Sequence, residues 1–118
     1  MVQALHNAGI GVIMDVVYNH SYAPFGQGGN QNDFQKSQKS AFDMTVPGYY
    51  YTSTDWSGCG NSFDTTKPMY RKFVVDSMKY WAEEYHLDGF RFDLMGIIDN
   101  QTLTEVRNEL NKIDPQIK

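Results

Sequence analysis

Two short stretches of the sequence place ionisable side chains at the ends of strand-like runs. In the stretch GFRFDLMG, Arg91 and Asp93 lie two residues apart, so they share one face of a strand. A charged group inside a protein is costly unless it is paired or used, which leaves two interpretations open. In the first, the two side chains form a structural ion pair. In the second, Asp93 lies at the carboxyl end of a parallel strand, where barrel and open-sheet enzymes place their catalytic groups. In the second case Arg91 favours the ionised carboxylate that a nucleophile requires.

The stretch DVVYNH ends a second apolar run in a similar way. Asp15 interrupts the run, and Tyr18, Asn19 and His20 follow where a strand should end. A lone histidine is more often structural than functional, but a position at the carboxyl end of a strand favours a role in a site. Asp15 is expected to hold neighbouring groups by hydrogen bonds. Asp15, His20 and Asp93 match no zinc or calcium spacing, so the pattern predicts no metal site.

An aromatic and glycine-rich stretch, GYYYTSTDWSGCGN, lies between these two runs. Its rings, Tyr50 and Trp56 among them, can stack on the apolar faces of sugars, or they form a small aromatic core that holds the surrounding loop together. The residue types do not decide between these alternatives. Cys59, the one cysteine, has no neighbouring base to activate it, and we expect it to be partly buried.

Several segments are expected to position these residues. Residues 2–8 carry apolar side chains at three-residue spacing and precede Gly9, which is typical of a helix end. Residues 10–17 are apolar on both alternating faces except at Asp15, which favours a strand covered on both sides in a parallel sheet. Residues 21–66 are polar and glycine-rich, and they predict a long loop that folds on itself as a small subdomain.

The second half of the chain predicts two helices and a strand. Pro68 suits the first turn of a helix, and residues 87–95 predict a strand with Phe90, Phe92 and Leu94 on one face. Thr102 and Glu105 match a capping box for the last helix. The inward face of the first of these helices is expected to contain Tyr70, Val74, Met78, Trp81 and Tyr85, and that of the last Leu103, Val106, Leu110 and Ile113. The alternation of helices and strands predicts an α/β fold.

Composition excludes several classes of protein. The 118 residues are 41% hydrophobic and 20% charged, as in an ordinary globular segment, which argues against a disordered or membrane-associated chain. The net charge is −4 and no long run of Lys or Arg is present, so a nucleic-acid partner is not expected and a neutral polar ligand suits the chain better. No secretory signal follows Met1, which leaves the location open and favours the cytoplasm over secretion.

Together the motifs resemble a known enzyme family. DVVYNH and GFRFDLMG, with a long insertion between them, are similar to the first and second signature regions of the α-amylase family of glycoside hydrolases. Within that family, ALHNAGIGVIMDVVYNH, VPGYYY, SGCGN and YWAEEYHLDGFRFDLMG look like type I pullulanase, which cleaves α-1,6 links in pullulan and branched starch or glycogen. The resemblance covers nearly the whole chain.

This resemblance implies a fold and a set of site residues. Residues 1–118 would form part of one catalytic (β/α)8 TIM barrel, roughly its third and fourth strands with flanking helices, and residues 21–66 the insertion after the third strand. Asp93 matches the nucleophile that forms a covalent glycosyl-enzyme, Arg91 the arginine that orients it, and His20 the histidine that contacts the sugar in the cleavage subsite. Asn19 falls where some relatives bind calcium, so calcium is the one cofactor that the resemblance raises. The remaining assignments are Tyr18 stacking beside that sugar, Asp15 bracing the site, and Tyr50 and Trp56 as further substrate contacts.

The resemblance also implies what this segment lacks. Retaining glycosidases need a second carboxyl group about 5 Å from the nucleophile. In this family it is a Glu on the fifth strand, beyond Lys118. We therefore expect a parent enzyme that acts on α-glucan polysaccharide, and an isolated segment that is inactive and self-associates through open strand edges. The alternatives are an isoamylase-type debranching enzyme or an amylase of the same family, a non-catalytic carbohydrate-binding piece, and a truncated remnant.

Overall fold

The computed structural model describes residues 1–21 and 40–118, which form a small α/β unit, as predicted. None of the helices in these ranges has the length and apolar character needed to cross a membrane. In chain order the elements are α1 (Val2–Asn7), β1 (Ile13–Val16), α2 (Ala41–Thr45), α3 (Pro68–Tyr85), β2 (Gly89–Phe92), a 3₁₀ helix (Met95–Ile97) and α4 (Asn100–Ile113).

The two strands lie side by side in parallel, and their register is set over four residue pairs. Ile13 pairs with Gly89 at one end, and Val16 pairs with Phe92 at the other. Both strands are shorter than the sequence predicted, and β2 ends early because the chain turns soon after it. Leu94 has a φ of 45°, in the left-handed region that ends an extended strand.

One face of this sheet is covered and the other is open. Met14 and Val16 point toward the core, whereas Ile13 is 61% exposed and Asp15 is also exposed. The prediction that the first strand is covered on both sides is therefore wrong for the described residues. The cause is that the core formed with α3 and α4 lies on one side only, which leaves the alternate side chains of β1 without a covering layer.

Helix α3 contributes more buried residues to the core than any other described helix or strand. Pro68 occupies its first turn, as predicted, since a proline there gives up no hydrogen bond that the helix needs. Trp81 and Tyr85, predicted to face inward, are half-buried and exposed respectively, because Ala82 takes the inward position in the last turns. The fully buried face of α3 consists of Tyr70, Val74, Met78 and Ala82.

Helix α4 begins differently from its prediction. Its N-cap is Asp99, whose carboxylate accepts a hydrogen bond from the backbone N–H of Thr102 over 3.1 Å. Thr102 lies inside the helix and is completely buried. The proposed capping box of Thr102 and Glu105 is therefore wrong, because the Thr102 hydroxyl is used in packing against Thr65, whose carbonyl oxygen lies 3.0 Å away.

Three aromatic residues of the segment 40–66, Phe42, Tyr50 and Phe63, pack on α3. Phe63 stacks on Tyr70 with ring centroids 4.1 Å apart, and Tyr51 stacks on the other side of Phe63. Phe42, from α2, contacts Tyr50, Phe63 and Tyr70 edge to face. The prediction of one inserted subdomain over residues 21–66 includes residues 22–39, which lie outside the described ranges, so it stays a prediction.

Candidate active site

The carboxyl ends of β1 and β2 bring the two signature stretches together. The backbone N–H of Asp93 donates to the carbonyl oxygen of Val16 over 3.0 Å, which continues the ladder one step past β2. The side-chain Nδ2 of Asn19 donates to the carbonyl oxygen of Asp93 over 2.6 Å. The peptide groups on both sides of Asp93 are therefore tied to the strand and turn that carry Asn19.

Asn19 also holds the side chain of His20. The ring Nδ1 of His20 forms a hydrogen bond with Oδ1 of Asn19. Asn19 is 1% exposed, so both ends of its carboxamide are satisfied inside the protein, as a buried amide requires. Its own carbonyl oxygen accepts from the backbone N–H of Phe63 over 2.9 Å. Asn19 thus connects His20, Asp93 and the aromatic segment.

Asp93 is half-buried, and its carboxylate has no partner among residues 1–21 and 40–118. No described residue forms a hydrogen bond or an ion pair with it. Immediately after it, the left-handed turn at Leu94 leads the chain away into the 3₁₀ helix. The main chain of Asp93 is therefore fixed while its carboxylate stays available to a ligand.

Arg91 contacts Asp15 and not Asp93. The parallel register places these two residues side by side, and Nη1 of Arg91 donates to Oδ2 of Asp15 over 2.6 Å. The Arg91 side chain is 64% exposed and that of Asp15 is 58% exposed, on the open face of the sheet. An ion pair this exposed contributes about 0–1 kcal/mol. The ion pair considered between Arg91 and Asp93 is absent among the described residues, because Arg91 pairs across the strands with Asp15. The orienting role of Arg91 toward Asp93 stays a prediction.

Tyr18 lies in the hydrophobic core and away from the open edge. Its hydroxyl is 2.5 Å from Oγ of Ser77 on α3, and its ring meets Phe73 edge to face. Burial raises the pKa of Tyr18 above its usual value, although the hydrogen bond with Ser77 opposes the shift. Tyr18 follows Met14 and Val16 on the inward face of the strand, and its stacking beside a sugar stays a prediction.

The two aromatic candidates of the loop segment have different surroundings. Tyr50 is half-buried and contacts Phe42 and Tyr70, so its ring belongs to the aromatic core. Trp56 is 67% exposed and borders a groove of about 400 Å³ whose other wall includes Ile97 of the 3₁₀ helix. The stretch was predicted either to stack on sugars or to form a small aromatic core. Tyr50 belongs to the aromatic core, whereas the ring of Trp56 has an open face.

A carboxylate holds the turn that presents Trp56. Asp55 accepts hydrogen bonds from the hydroxyls of Ser62 and Ser57 and from the backbone N–H of Gly60. These hydrogen bonds, that of Ser62 first, hold the pKa of Asp55 far below its usual value. Cys59 lies in the same turn and is exposed, so the prediction that it is partly buried is wrong. The hydrogen bonds of Asp55 hold this turn, and the Cys59 thiol is not buried in it.

The calcium role that the resemblance raises for Asn19 stays a prediction. Calcium prefers several oxygen ligands, and the one side-chain oxygen of Asn19 already accepts from His20. No group of three His, Cys, Asp or Glu side chains within residues 1–21 and 40–118 is arranged to hold a metal ion. Both ends of the Asn19 carboxamide are hydrogen-bonded to protein groups.

Two residues that support this site were not singled out for it by the sequence. The hydroxyl of Tyr70 donates to the carbonyl oxygen of Tyr18 over 2.8 Å, and Phe63 stacks on Tyr70 while its N–H bonds to Asn19. The helical spacing identified Tyr70 as an inward residue. No local pattern indicated that its hydroxyl would reach the end of β1, because the contact joins residues 52 positions apart.

Comparison with known proteins gives relatives over nearly the whole chain, although no family model matches it. The chain is 38% identical over 123 residues to a pullulanase of Bacillus subtilis, a match that takes in 99% of this chain and 15% of that protein. It is 44% identical over 98 residues to the chloroplastic isoamylase SU1 of Zea mays, across 82% of this chain and 12% of that protein. A solved pullulanase from Anoxybacillus sp. LM18-11, complexed with maltotetraose, matches with a TM-score of 0.84 and 40% identity, across 98% of this chain and 16% of that one.

These matches confirm the resemblance identified from the motifs. The chain is homologous to one segment of pullulanases and isoamylases, and it spans 12% to 16% of the length of the three relatives described.

Proposed function

We propose, from the homology of this chain to one segment of pullulanases and isoamylases, that the protein carrying it hydrolyses α-1,6-glucosidic links in branched α-glucans. The observation that carries the proposal is the meeting of the two signature stretches at one sheet edge. Asn19 joins the His20 side chain to the main chain of Asp93 there. Carbohydrate recognition is supported further by the relative that was solved with maltotetraose.

The proposal includes a fold larger than the described unit. We propose that β1 and β2 are neighbouring strands, the third and fourth, of a (β/α)8 barrel. Three features support this: the strands are parallel and adjacent, their carboxyl ends carry the candidate site, and the second face of the sheet is open. In a closed barrel, that open face would be the interior.

The proposed reaction is a retaining double displacement at Asp93. Its carboxylate attacks the anomeric carbon, the bond to the leaving glucosyl oxygen breaks, and a covalent glycosyl-enzyme forms. A second carboxylic acid gives its proton to the leaving oxygen and then, as a carboxylate, takes a proton from the water that releases the sugar. Both steps leave the anomeric configuration unchanged overall.

The second carboxyl group of this mechanism has no candidate among the glutamates of the chain. All four lie on α3 or α4; Glu109, for example, pairs with Lys79 and Lys112. We therefore propose that the 118 residues alone do not turn over substrate. The four glutamates are Glu83, Glu84, Glu105 and Glu109.

The other site residues have supporting roles in this proposal. His20 contacts the sugar at the point of cleavage, and Asn19 positions it. Asp15 braces the site by holding the Arg91 guanidinium, whose remaining N–H groups are free to orient Asp93. Trp56 provides an exposed ring for stacking on a glucose unit.

A second candidate function is carbohydrate binding without catalysis, and the exposure of Trp56 is the observation that favours it. The two functions differ in their dependence on Asp93. Binding through Trp56 survives the substitution Asp93→Asn, whereas hydrolysis does not.

The test uses the complete protein that carries these residues. Asp93→Asn should abolish the release of reducing ends from pullulan and glycogen, because an amide cannot form the glycosyl ester. Asp76→Asn, at an exposed position of α3 where Asp76 pairs with Lys72, is the matched control and should keep full activity. Retained turnover in Asp93→Asn would refute the assignment. Inactivity of the wild type on both substrates, with maltotetraose binding retained, would favour the binding function.

A further inference from the structure

The buried carboxamide of Asn19 lies between the ring of His20 and the main chain of Asp93. Its Nδ2 is 2.6 Å from the Asp93 carbonyl oxygen, and its Oδ1 is hydrogen-bonded to Nδ1 of His20. Because Asn19 is excluded from solvent, water cannot replace either partner. The hydrogens in this pair of contacts can therefore be assigned from the partners alone.

The orientation of the amide follows from its contact with Asp93. A backbone carbonyl oxygen can only accept a hydrogen bond, so the Asn19 atom that faces it must be the nitrogen. The amide oxygen then faces His20, and an amide oxygen also only accepts. Nδ1 of His20 must therefore carry the hydrogen of this bond.

We propose that Asn19 is a positioning residue that holds the neutral His20 ring as the Nδ1–H tautomer and leaves Nε2 as a hydrogen-bond acceptor. The ring is half-buried, and no residue within 1–21 and 40–118 bonds to Nε2. The tautomer itself depends only on Asn19. Its consequence rests on the proposed function: Nε2 accepts from a glucose hydroxyl, so that hydroxyl must donate to His20 and keep its lone pairs for another partner.

His6 provides an internal contrast in the same chain. Its Nε2 is 2.8 Å from Oδ2 of Asp88, and that oxygen also accepts from the backbone N–H of Val12 over 2.6 Å. A carboxylate only accepts, so Nε2 of His6 carries hydrogen. His6 and His20 are thus expected to be opposite tautomers.

The experiment observes the ring nitrogens directly. The complete protein carrying these residues is labelled with ¹⁵N-histidine, and long-range ¹H–¹⁵N correlation spectra are recorded at alkaline pH, where imidazole is neutral. The signals of His20 and His6 are those lost in His20→Gln and His6→Gln. We expect a protonated-type shift at Nδ1 of His20 and at Nε2 of His6. A protonated-type shift at Nε2 of His20 would overturn the proposal.

Two substitutions separate the role of Asn19 from general packing. Asn19→Asp keeps an acceptor at His20 but loses the donor to Asp93, so the Nδ1–H tautomer should persist. Asn19→Ala loses the acceptor, and His20 should shift to the Nε2–H form that imidazole side chains favour in water. An unchanged Nδ1–H signal in Asn19→Ala would show that Asn19 does not set the tautomer. If Asn19→Ala fails to fold, wild type and Asn19→Asp decide, and Nε2–H in either one refutes the proposal.

The His20 tautomer and the proposed function can be refuted separately. Absence of activity on pullulan and glycogen with His20 as Nδ1–H would refute the proposed function and leave the tautomer standing. Activity on these substrates with His20 as Nε2–H would refute the proposed tautomer and leave the proposed function standing.

Discussion

The hydroxyl of Tyr70 offers the sharpest test of how the end of β1 is held in place. Tyr70 is completely buried, and its hydroxyl donates to the carbonyl oxygen of Tyr18 over 2.8 Å. Tyr70→Phe removes this one oxygen and keeps the ring, so the stack on Phe63 stays intact. The substitution therefore isolates a single hydrogen bond next to Asn19 and His20.

The expected cost follows from what the substitution leaves behind. A neutral hydrogen bond contributes about 0.5–1.5 kcal/mol, and a buried carbonyl oxygen left unpartnered costs about 1–3 kcal/mol. We take the second range, because the Tyr18 carbonyl would lose its donor inside the core. Since a tenfold change corresponds to about 1.4 kcal/mol, local opening should become about 5- to 150-fold more frequent.

Native-state hydrogen exchange measures this opening in the complete protein. The amides to follow are those of Phe63, bonded to Asn19, and of Asp93, bonded to Val16. Tyr80→Phe, at a half-exposed position of the same helix, is the control and should change stability by no more than about 0.5 kcal/mol. Equal exchange rates at both amides in Tyr70→Phe and Tyr80→Phe would refute the reasoning.

Two further predictions concern the Trp56 turn and the open sheet face. The pKa of Asp55 is lowered in the folded state, so its stabilisation is present above the ordinary aspartate pKa of about 3.9 and is lost as the pH falls below it. In a Trp81→Phe background, the fluorescence emission of Trp56 should change on acidification. Adding Asp55→Asn to this background should give the same changed emission already at neutral pH. If the Asp55→Asn protein instead emits at neutral pH like the protein that keeps Asp55, the prediction is contradicted. The isolated 118 residues should self-associate through the exposed face of β1, and Ile13→Lys with Val17→Lys should lower the sedimentation coefficient toward that of a monomer; unchanged association in this variant would place the contact elsewhere.

The sequence predicted the parts of the site that depend on strand topology. Two apolar runs with polar residues at their ends predicted parallel strands, and the carboxyl ends of such strands meet at one edge. The structure shows Asn19 and Asp93 in contact there. Strand direction alone brings the two carboxyl ends together, without any contact between side chains that are far apart in the sequence.

The wrong predictions have identifiable physical causes. The apolar side chains of β1 are continuous enough for a fully covered strand, but covering them requires a layer that the described residues do not contain. Thr102 and Asp99 are both residue types that cap a helix N-terminus, so the sequence allows either as the N-cap of α4. Thr102 is buried inside the helix, and Asp99 is therefore the N-cap.

The arrangement around Asp93 shows how a carboxylate can be both fixed and free. Its N–H is bonded to Val16 and its carbonyl oxygen to Asn19, so the backbone is held by two contacts that leave the side chain untouched. Holding the carboxylate by its own hydrogen bonds would occupy the lone pairs that a nucleophile needs. Arg91 can bind Asp15 and still donate to another group, because its hydrogen bond to Asp15 uses one of the five N–H groups of the guanidinium. The chain thus positions its candidate nucleophile through main-chain geometry and keeps the reactive oxygens available.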